Sequence, residues 1–367
     1  MKKITIYIAK EQLYPFLTGF IFFTFILMLQ QFFSLADLLI NKNVKVFLVL
    51  KLFLIMLPIT MSLTIPMSVL FSSIMAMGRL SGDSEITALR ASGISIYRII
   101  KPVILSGIAI FILMIVFNET VLVYCNKNYN KIFVEILRSS PASMLEDGVF
   151  TTLGDKTIWV EKISKRNGKL KNIMIYNKND DGGWDVIKAR GGILRQNEDG
   201  SKTLKLDSGK IFSSKIKSGS FSVIDFTQGS SELLLSESKI EYNVADKTNP
   251  GEMNSFELYR MLTSGKMNKN KREIALYWIE LHKQIAIPFS CIIFVIIGAP
   301  VGISYRRNAR GIGFGISIII FFVYYILSML GQSFAVKGVI EPLIGVWYPN
   351  FLLLIAGIIL LFYKEKA

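Results

Sequence analysis

The sequence predicts an α-helical membrane protein: six transmembrane helices with an all-β domain inserted between helices 3 and 4. Three observations lead there. Charge is excluded from six long stretches, the basic residues of the short connections are lopsided, and the one long charged segment reads as strands and turns.

The chain has 367 residues and is 51% apolar, yet it carries 42 basic and 27 acidic side chains. A soluble protein would scatter them. Here Asp, Glu, Lys and Arg are absent from Gln12–Ala36, Leu52–Gly78 and Pro102–Asn118, the last continuing past Glu119 to Asn126. They are absent again from Gln284–Tyr305, Gly311–Val336 and Pro342–Tyr363. About 20 apolar residues cross the hydrocarbon core as a helix, so all six suffice. None reads as a cleaved signal peptide: the first is too long and lacks a small-residue cleavage site.

Basic residues in short loops stay on the cytoplasmic side. With the N-terminus inside, the inner segments hold Lys2, Lys3, Lys10, Arg79, Arg90, Arg98, Lys101, Arg306, Arg307, Arg310, Lys364 and Lys366. The outer short loops hold only Lys42, Lys45, Lys51 and Lys337. Both termini are therefore expected in the cytoplasm. Much of the net charge of +15 is this topology signal, and no nucleic acid is needed to explain it.

The expected divisions are residues 1–126 for helices 1–3, 127–271 for an outer β domain and 272–367 for helices 4–6. Lys127–Lys271 contains no uncharged run longer than seven residues. Turn signals fall at Gly154-Asp155, Asn167-Gly168, Asp181-Gly182-Gly183, Asp199-Gly200, Ser208-Gly209 and Ser218-Gly219. Between them lie β-rich runs such as Thr157–Val160, Asn172–Tyr176, Thr203–Leu206 and Phe221–Ile224. Such spacing indicates a sandwich, jelly roll or barrel and argues against parallel βαβ units. A short helix is expected over Phe256–Ser264, with Ser255 as N-cap and Gly265 just past its end.

Much chemistry is excluded. The one histidine, His282, gives no material for His-based metal sites or a Ser-His-Asp triad, and reads as a polar residue at a span end. There is no phosphate-binding G-x-x-x-x-G-K-[ST] loop for ATP. Gly311–Gly315 opens a transmembrane helix with no strand before it, which fits close helix packing better than a nucleotide loop. Cys125 and Cys291 sit in different spans, and a disulfide between them is not expected. No metal, cofactor or catalytic centre is expected. In an enzyme anchored to the membrane, polar residues such as Glu161, Asp185 and Asp225 would have to converge; alone they read as solvated strand edges and turns.

The inner loop between helices 2 and 3, Gly78–Ser95, is the most informative segment. Asp83 or Ser84 suits a helix cap, Glu85 suits the positive end of the helix dipole, and Gly93 suits the position past the end. Ser95 suits the cap of the next helix. A helix of about nine residues is marginal alone. It must dock, either on the membrane and its own bundle or into a cytoplasmic partner; the residues leave both open.

Ser84-Glu85-Ile86-Thr87 and Ala91-Ser92-Gly93 resemble the coupling-helix region of the LptF/LptG permeases (YjgP/YjgQ family), where a Ser-Glu-Ile-Thr-like stretch ends in Ala-Ser-Gly. Glu280-Leu281-His282 with Pro288, followed by Gly298-Ala299-Pro300-Val301-Gly302, resembles the family's fourth span. The likeness covers the whole chain. It implies a bacterial inner-membrane subunit with a periplasmic β-jelly-roll domain, paired with a paralogous six-span permease and an LptB-like ATPase dimer. It further implies extraction of lipopolysaccharide from the outer leaflet and its transfer to periplasmic LptC/LptA-like jelly-roll proteins. The implied coupling residue is Glu85, with Ser84, Arg90 and Ser92 beside it. Basic residues that some members place at the outer end of the first span are missing, because the stretch reads Gln30-Gln31-Phe32-Phe33-Ser34. Gln31, Phe32 and Phe33, with Lys42, Lys45 and Lys51 just beyond, are the candidates for lipid or phosphate contact. Another ATP-coupled permease, passing motion to an outer partner, would share the coupling helix without needing a lipid cavity. Phe22, Phe23 and Phe25 enrich the first span, and Pro58 and Pro66 interrupt the second. Arg272–Ser304, about 50 Å as a helix, is longer than the bilayer core of roughly 30 Å.

Overall fold

The computed structural model describes residues 2–40, 46–139, 147–153, 156–164, 169–178, 183–196, 202–215, 220–226, 231–236, 249–264, 270–304 and 309–366. Lys42, Lys45, Arg306, Arg307, Gly265 and the turns at Gly154-Asp155, Asn167-Gly168, Asp199-Gly200 and Ser218-Gly219 lie outside them. The chain divides into two compact units, residues 1–30, 54–128 and 249–367 in one, 31–53 and 129–248 in the other.

Helices α1 (Lys2–Ile40) and α2 (Val46–Gly82) come first. After them α3 (Glu85–Ala91) is one short segment, and α4 (Ile96–Phe117) runs through a π-helical turn at Asn118–Leu122 into α5 (Val123–Ser139). Downstream of the strands, α6 (Ser255–Thr263) precedes α7 (Lys271–Ser304), α8 (Ala309–Val336) and α9 (Pro342–Lys366). Among the described residues six helices are long and apolar enough to span a membrane: Lys3–Ala36, Val46–Gly82, Ile96–Phe133, Lys271–Ser304, Gly313–Val336 and Pro342–Glu365.

The helical unit is organised around α7. One apolar cluster joins Ile8, Met77, Ile86, Ile99, Val103, Cys291, Val295 and Leu361; a second joins Leu70, Ile74, Phe294, Ile297, Tyr324 and Leu353. Helix α7 contributes to both, and 67% of its apolar stretch is buried within the structure. Two buried free thiols replace any disulfide, and Cys291 Sγ lies 3.6 Å from Met114 Sδ. Gly313 packs against Ile74 and Met75 of α2, as expected for a small-residue helix contact.

In the other unit, eight strands among the described residues form one antiparallel sheet: β1 (Phe150–Leu153), β2 (Lys156–Ser164), β3 (Lys169–Lys178), β4 (Trp184–Gln196), β5 (Lys202–Leu206), β6 (Gly209–Lys215), β7 (Ser220–Asp225) and β8 (Ser231–Ser236). This is the all-β architecture that the turn spacing predicts. Strands β5 and β6 continue one another opposite β4: Gly192 pairs with Leu206 and Ala189 with Gly209. Between those pairs Arg190 N–H donates to the Ser208 carbonyl at 3.0 Å and Asp207 N–H to the Gly191 carbonyl at 2.8 Å. The far edge of this long strand is covered by β8 beside β5 and by β7 beside β6.

Burial alternates with the strand period through Ile158 and Val160, Ile173 and Ile175, Ile187 and Ala189, Leu204 and Leu206. At Asn172, whose φ is 47°, the alternation slips by one, so Leu170 is buried in place of Lys171. All these residues still feed a single core.

Candidate functional site

Helix α3 is built as a docked segment. Ile86 is buried with Ile8, Leu80, Ile96 and Ile99, and Leu89 and Ile94 pack on the same cluster. That apolar contact stabilises a helix too short to persist alone. Its end is a Schellman motif: Gly93, at φ 81°, donates to the Arg90 carbonyl at 2.8 Å and Ile94 N–H to the Leu89 carbonyl at 3.1 Å. The start differs from expectation. Ser84 occupies the N-cap position in a left-handed conformation, φ 58°, and its side chain caps nothing. Helix α2 runs to Gly82, so only Asp83 and Ser84 separate it from α3. Ser95 also sits at its expected N-cap position without a side-chain bond.

Around Glu85 the structure assembles a polar cluster that the sequence did not signal. The Tyr7 hydroxyl donates to Glu85 Oε1 at 3.0 Å, and Arg79 Nη2 donates to that hydroxyl at 3.2 Å. Arg79 pairs with Glu11 at 2.6 Å and lies 3.6 Å from Asp83 and 3.8 Å from Glu85. Tyr7 and Glu11 are one turn apart on α1. Glu85 is therefore half-buried and held, not projecting freely. Of its neighbours on the short helix, Arg90 reaches the Glu365 carbonyl at 3.4 Å, and the Ser92 hydroxyl donates to the Ala88 carbonyl at 3.0 Å.

A second feature is a cavity of about 550 Å³ walled by α2, α7 and α8. Ile59, Leu63, Pro66, Ile287, Phe321, Tyr324 and Met329 give it an apolar body, and Ser62, Ser290 and Ser328 place hydroxyls within it. Pro66 supplies no N–H to the Ser62 carbonyl, which leaves an acceptor on that wall. Arg272, Lys283 and Lys337 add three cations. Lys283 is paired with Glu280 at 2.9 Å, whereas the Arg272 and Lys337 side chains have no ion pair or hydrogen bond among the described residues. An apolar body with cations suits a ligand combining acyl chains and anionic groups. None of Gln31, Phe32, Phe33 or Lys51 belongs to this lining. Phe32 and Phe33 are exposed and meet edge to face. Phe23, in contrast, is buried and stacks on Phe314, which makes it a packing residue.

These two features belong to a chain that has known relatives over nearly all of its length. The sequence pattern described as the lipopolysaccharide export system permease LptF/LptG matches residues 6–363. The chain belongs to the LptF/LptG permease family. It is 20% identical, over 356 residues, to the lipopolysaccharide export system permease protein LptF of Escherichia coli and to that of Shigella flexneri. Each comparison takes in 96% of this chain and 93% of the relative.

Arg272, Lys283 and Lys337 of the cavity, and Tyr7 and Glu11 beside Glu85 and Arg79, are not among the site candidates that the sequence offers. The cations were visible as basic residues flanking apolar spans. Tyr7 and Glu85 are 78 positions apart, and no local motif joins them. Of the outer carboxylates, Glu161 accepts from Asn172, Asp185 from Ser213 at 2.5 Å, and Asp225 pairs with Lys210 at 3.6 Å. Each carboxylate is engaged by a strand neighbour. His282 stacks on Trp278, a packing role.

Proposed function

We propose that this chain is a permease subunit of an ATP-driven lipopolysaccharide exporter in the bacterial inner membrane. Both termini lie in the cytoplasm and the β domain in the periplasm, because inner connections hold twelve basic residues against four outside. A separate LptB-like ATPase dimer docks on α3, with Glu85 as the coupling carboxylate and Ser84, Arg90 and Ser92 beside it. A paralogous six-span permease completes the complex, and LptC/LptA-like jelly-roll proteins receive the lipid.

The observation that carries the reading is the cavity between α2, α7 and α8 on a family member. Its apolar body fits acyl chains, and Arg272 and Lys337 complement lipid phosphates at the ends of α7 and α8 that this topology places outside. Lys42, Lys45 and Lys51 are expected just beyond the same membrane face. Purification in mild detergent tests the assembly: a separate ATPase and a second six-span chain are expected to co-purify. ATP hydrolysis by this chain alone, or a stable complex without an ATPase, contradicts it.

A further inference from the structure

Glu85 offers its two carboxylate oxygens unequally. Oε1 accepts from the Tyr7 hydroxyl at 3.0 Å and lies 3.8 Å from Arg79. Oε2 has no partner among the described residues. We infer that Arg79 and Tyr7 are positioning residues that hold the coupling carboxylate by one oxygen, present the other, and tie α3 to the start of α1. The inference rests on the reading of α3 as the ATPase-docking helix.

Donor and acceptor chemistry fixes the direction of the chain of bonds. A guanidinium only donates and a carboxylate only accepts, so the Tyr7 hydroxyl takes Arg79 as donor and gives its own proton to Glu85. This leaves one arrangement of the three groups. Arg79 itself is fixed by its short pair with Glu11 at 2.6 Å, so its fork is anchored on α1 while it serves a residue of α3. Apolar packing registers the same two elements, because Ile8, next to Tyr7, and Ile86, next to Glu85, are buried in one cluster. Each exposed ion pair is weak by itself. Here four polar groups and an apolar pair act on one junction, and a network of this kind is where side chains couple energetically.

The geometry has a mechanical consequence. A basic or hydroxyl group on a partner meets Glu85 Oε2 without displacing Tyr7, so a push or pull on α3 passes through the hydroxyl to α1. Lysine in place of Arg79 keeps the charge but loses the fork; phenylalanine in place of Tyr7 removes one oxygen and nothing else.

The test uses the full complex of this chain, its ATPase and its second permease subunit, in proteoliposomes loaded with lipopolysaccharide. Bound ATPase, ATP turnover and lipid released are measured together for Tyr7→Phe, Arg79→Lys, Glu85→Gln and the double variant Tyr7→Phe/Glu85→Gln. Lost hydrogen bonds to charged groups and coupled sites give effects of this size, so Tyr7→Phe and Arg79→Lys are each expected to lower lipid released per ATP about three- to ten-fold with the ATPase still bound. The double variant is expected to lose no more than Glu85→Gln alone. Losses that multiply in the double variant, or Tyr7→Phe at wild-type coupling while Glu85→Gln is uncoupled, overturn the positioning role only. Glu85→Gln at wild-type coupling overturns the reading of α3 itself.

Discussion

Ser84 shows how a single residue sets the approach to α3. Its φ of 58° lies in the left-handed region, which costs L-residues about 1–2 kcal/mol. Ser84→Gly removes that cost, while a β-branched side chain there is worse than serine. The expected order of thermal stability for the purified complex is Ser84→Gly at or above wild type and Ser84→Val below it, by about 1–2 kcal/mol. Equal stability for all three would mean that the turn relaxes freely. Arg90 is expected to matter less than Glu85, since its contact with the Glu365 carbonyl is 3.4 Å long and exposed. Rim charge is a separate question. Arg272→Glu together with Lys337→Glu should lower photo-crosslinking of lipopolysaccharide to Tyr325, a cavity-lining residue, about ten-fold or more, because attraction becomes repulsion at two positions. Unchanged crosslinking would remove the cavity from the transport path.

At the scale of elements, the spans were legible and their ends were not. Five uncharged runs exceed the bilayer requirement and the third, Pro102–Asn118, meets it by continuing past Glu119; each became a helix, because backbone groups in lipid have no other partner. Past Asn126 the third span keeps its helix to Ser139, although charged residues return at Lys127; there an amphipathic face replaces the apolar run. The π-helical turn at Asn118–Leu122 had no sequence signal of its own. Helix α6 appeared where expected, but its cap is Asn254, not Ser255. Asn254 Oδ1 accepts from Glu257 N–H at 2.8 Å and Glu257 Oε2 accepts from Asn254 N–H at 3.3 Å, a capping box readable as Asn followed three residues later by Glu. Ser255 bonds elsewhere. Its hydroxyl donates to Glu119 within the π turn, and its N–H donates to the other Glu119 oxygen at 3.1 Å. Gln284 of α7 joins by donating to the Met253 carbonyl at 2.7 Å. Glu119 thus ties α6 to the third span, and Glu119→Ala should destabilise the complex by about 1–3 kcal/mol by leaving bonded donors without their charged acceptor. A thermal midpoint unchanged from wild type would show that the contact carries no stability.

The molecule combines a helical unit and a unit that carries an antiparallel sheet. The Glu85 junction was legible only in part. Ser84-Glu85-Ile86-Thr87 marks the loop, but Tyr7 and Glu11, which engage Glu85 and Arg79, come from the start of α1, and only folding brings them together. Orientation is tested with a thiol reagent that does not cross the membrane. Ser222→Cys in β7 is expected to react in intact cells with a permeabilised outer membrane, and Lys3→Cys only after lysis; the reverse pattern contradicts the topology. The most direct test of the central claim is ATP-dependent lipopolysaccharide release from proteoliposomes holding the purified complex, wild type against Glu85→Ala. Release from wild type should require ATP and the partner ATPase, and Glu85→Ala should lower lipid released per ATP about ten-fold or more, as expected for loss of a charge-assisted bond. Equal release, ATP turnover and bound ATPase in the two proteins would show that Glu85 does not couple ATP hydrolysis to lipid movement.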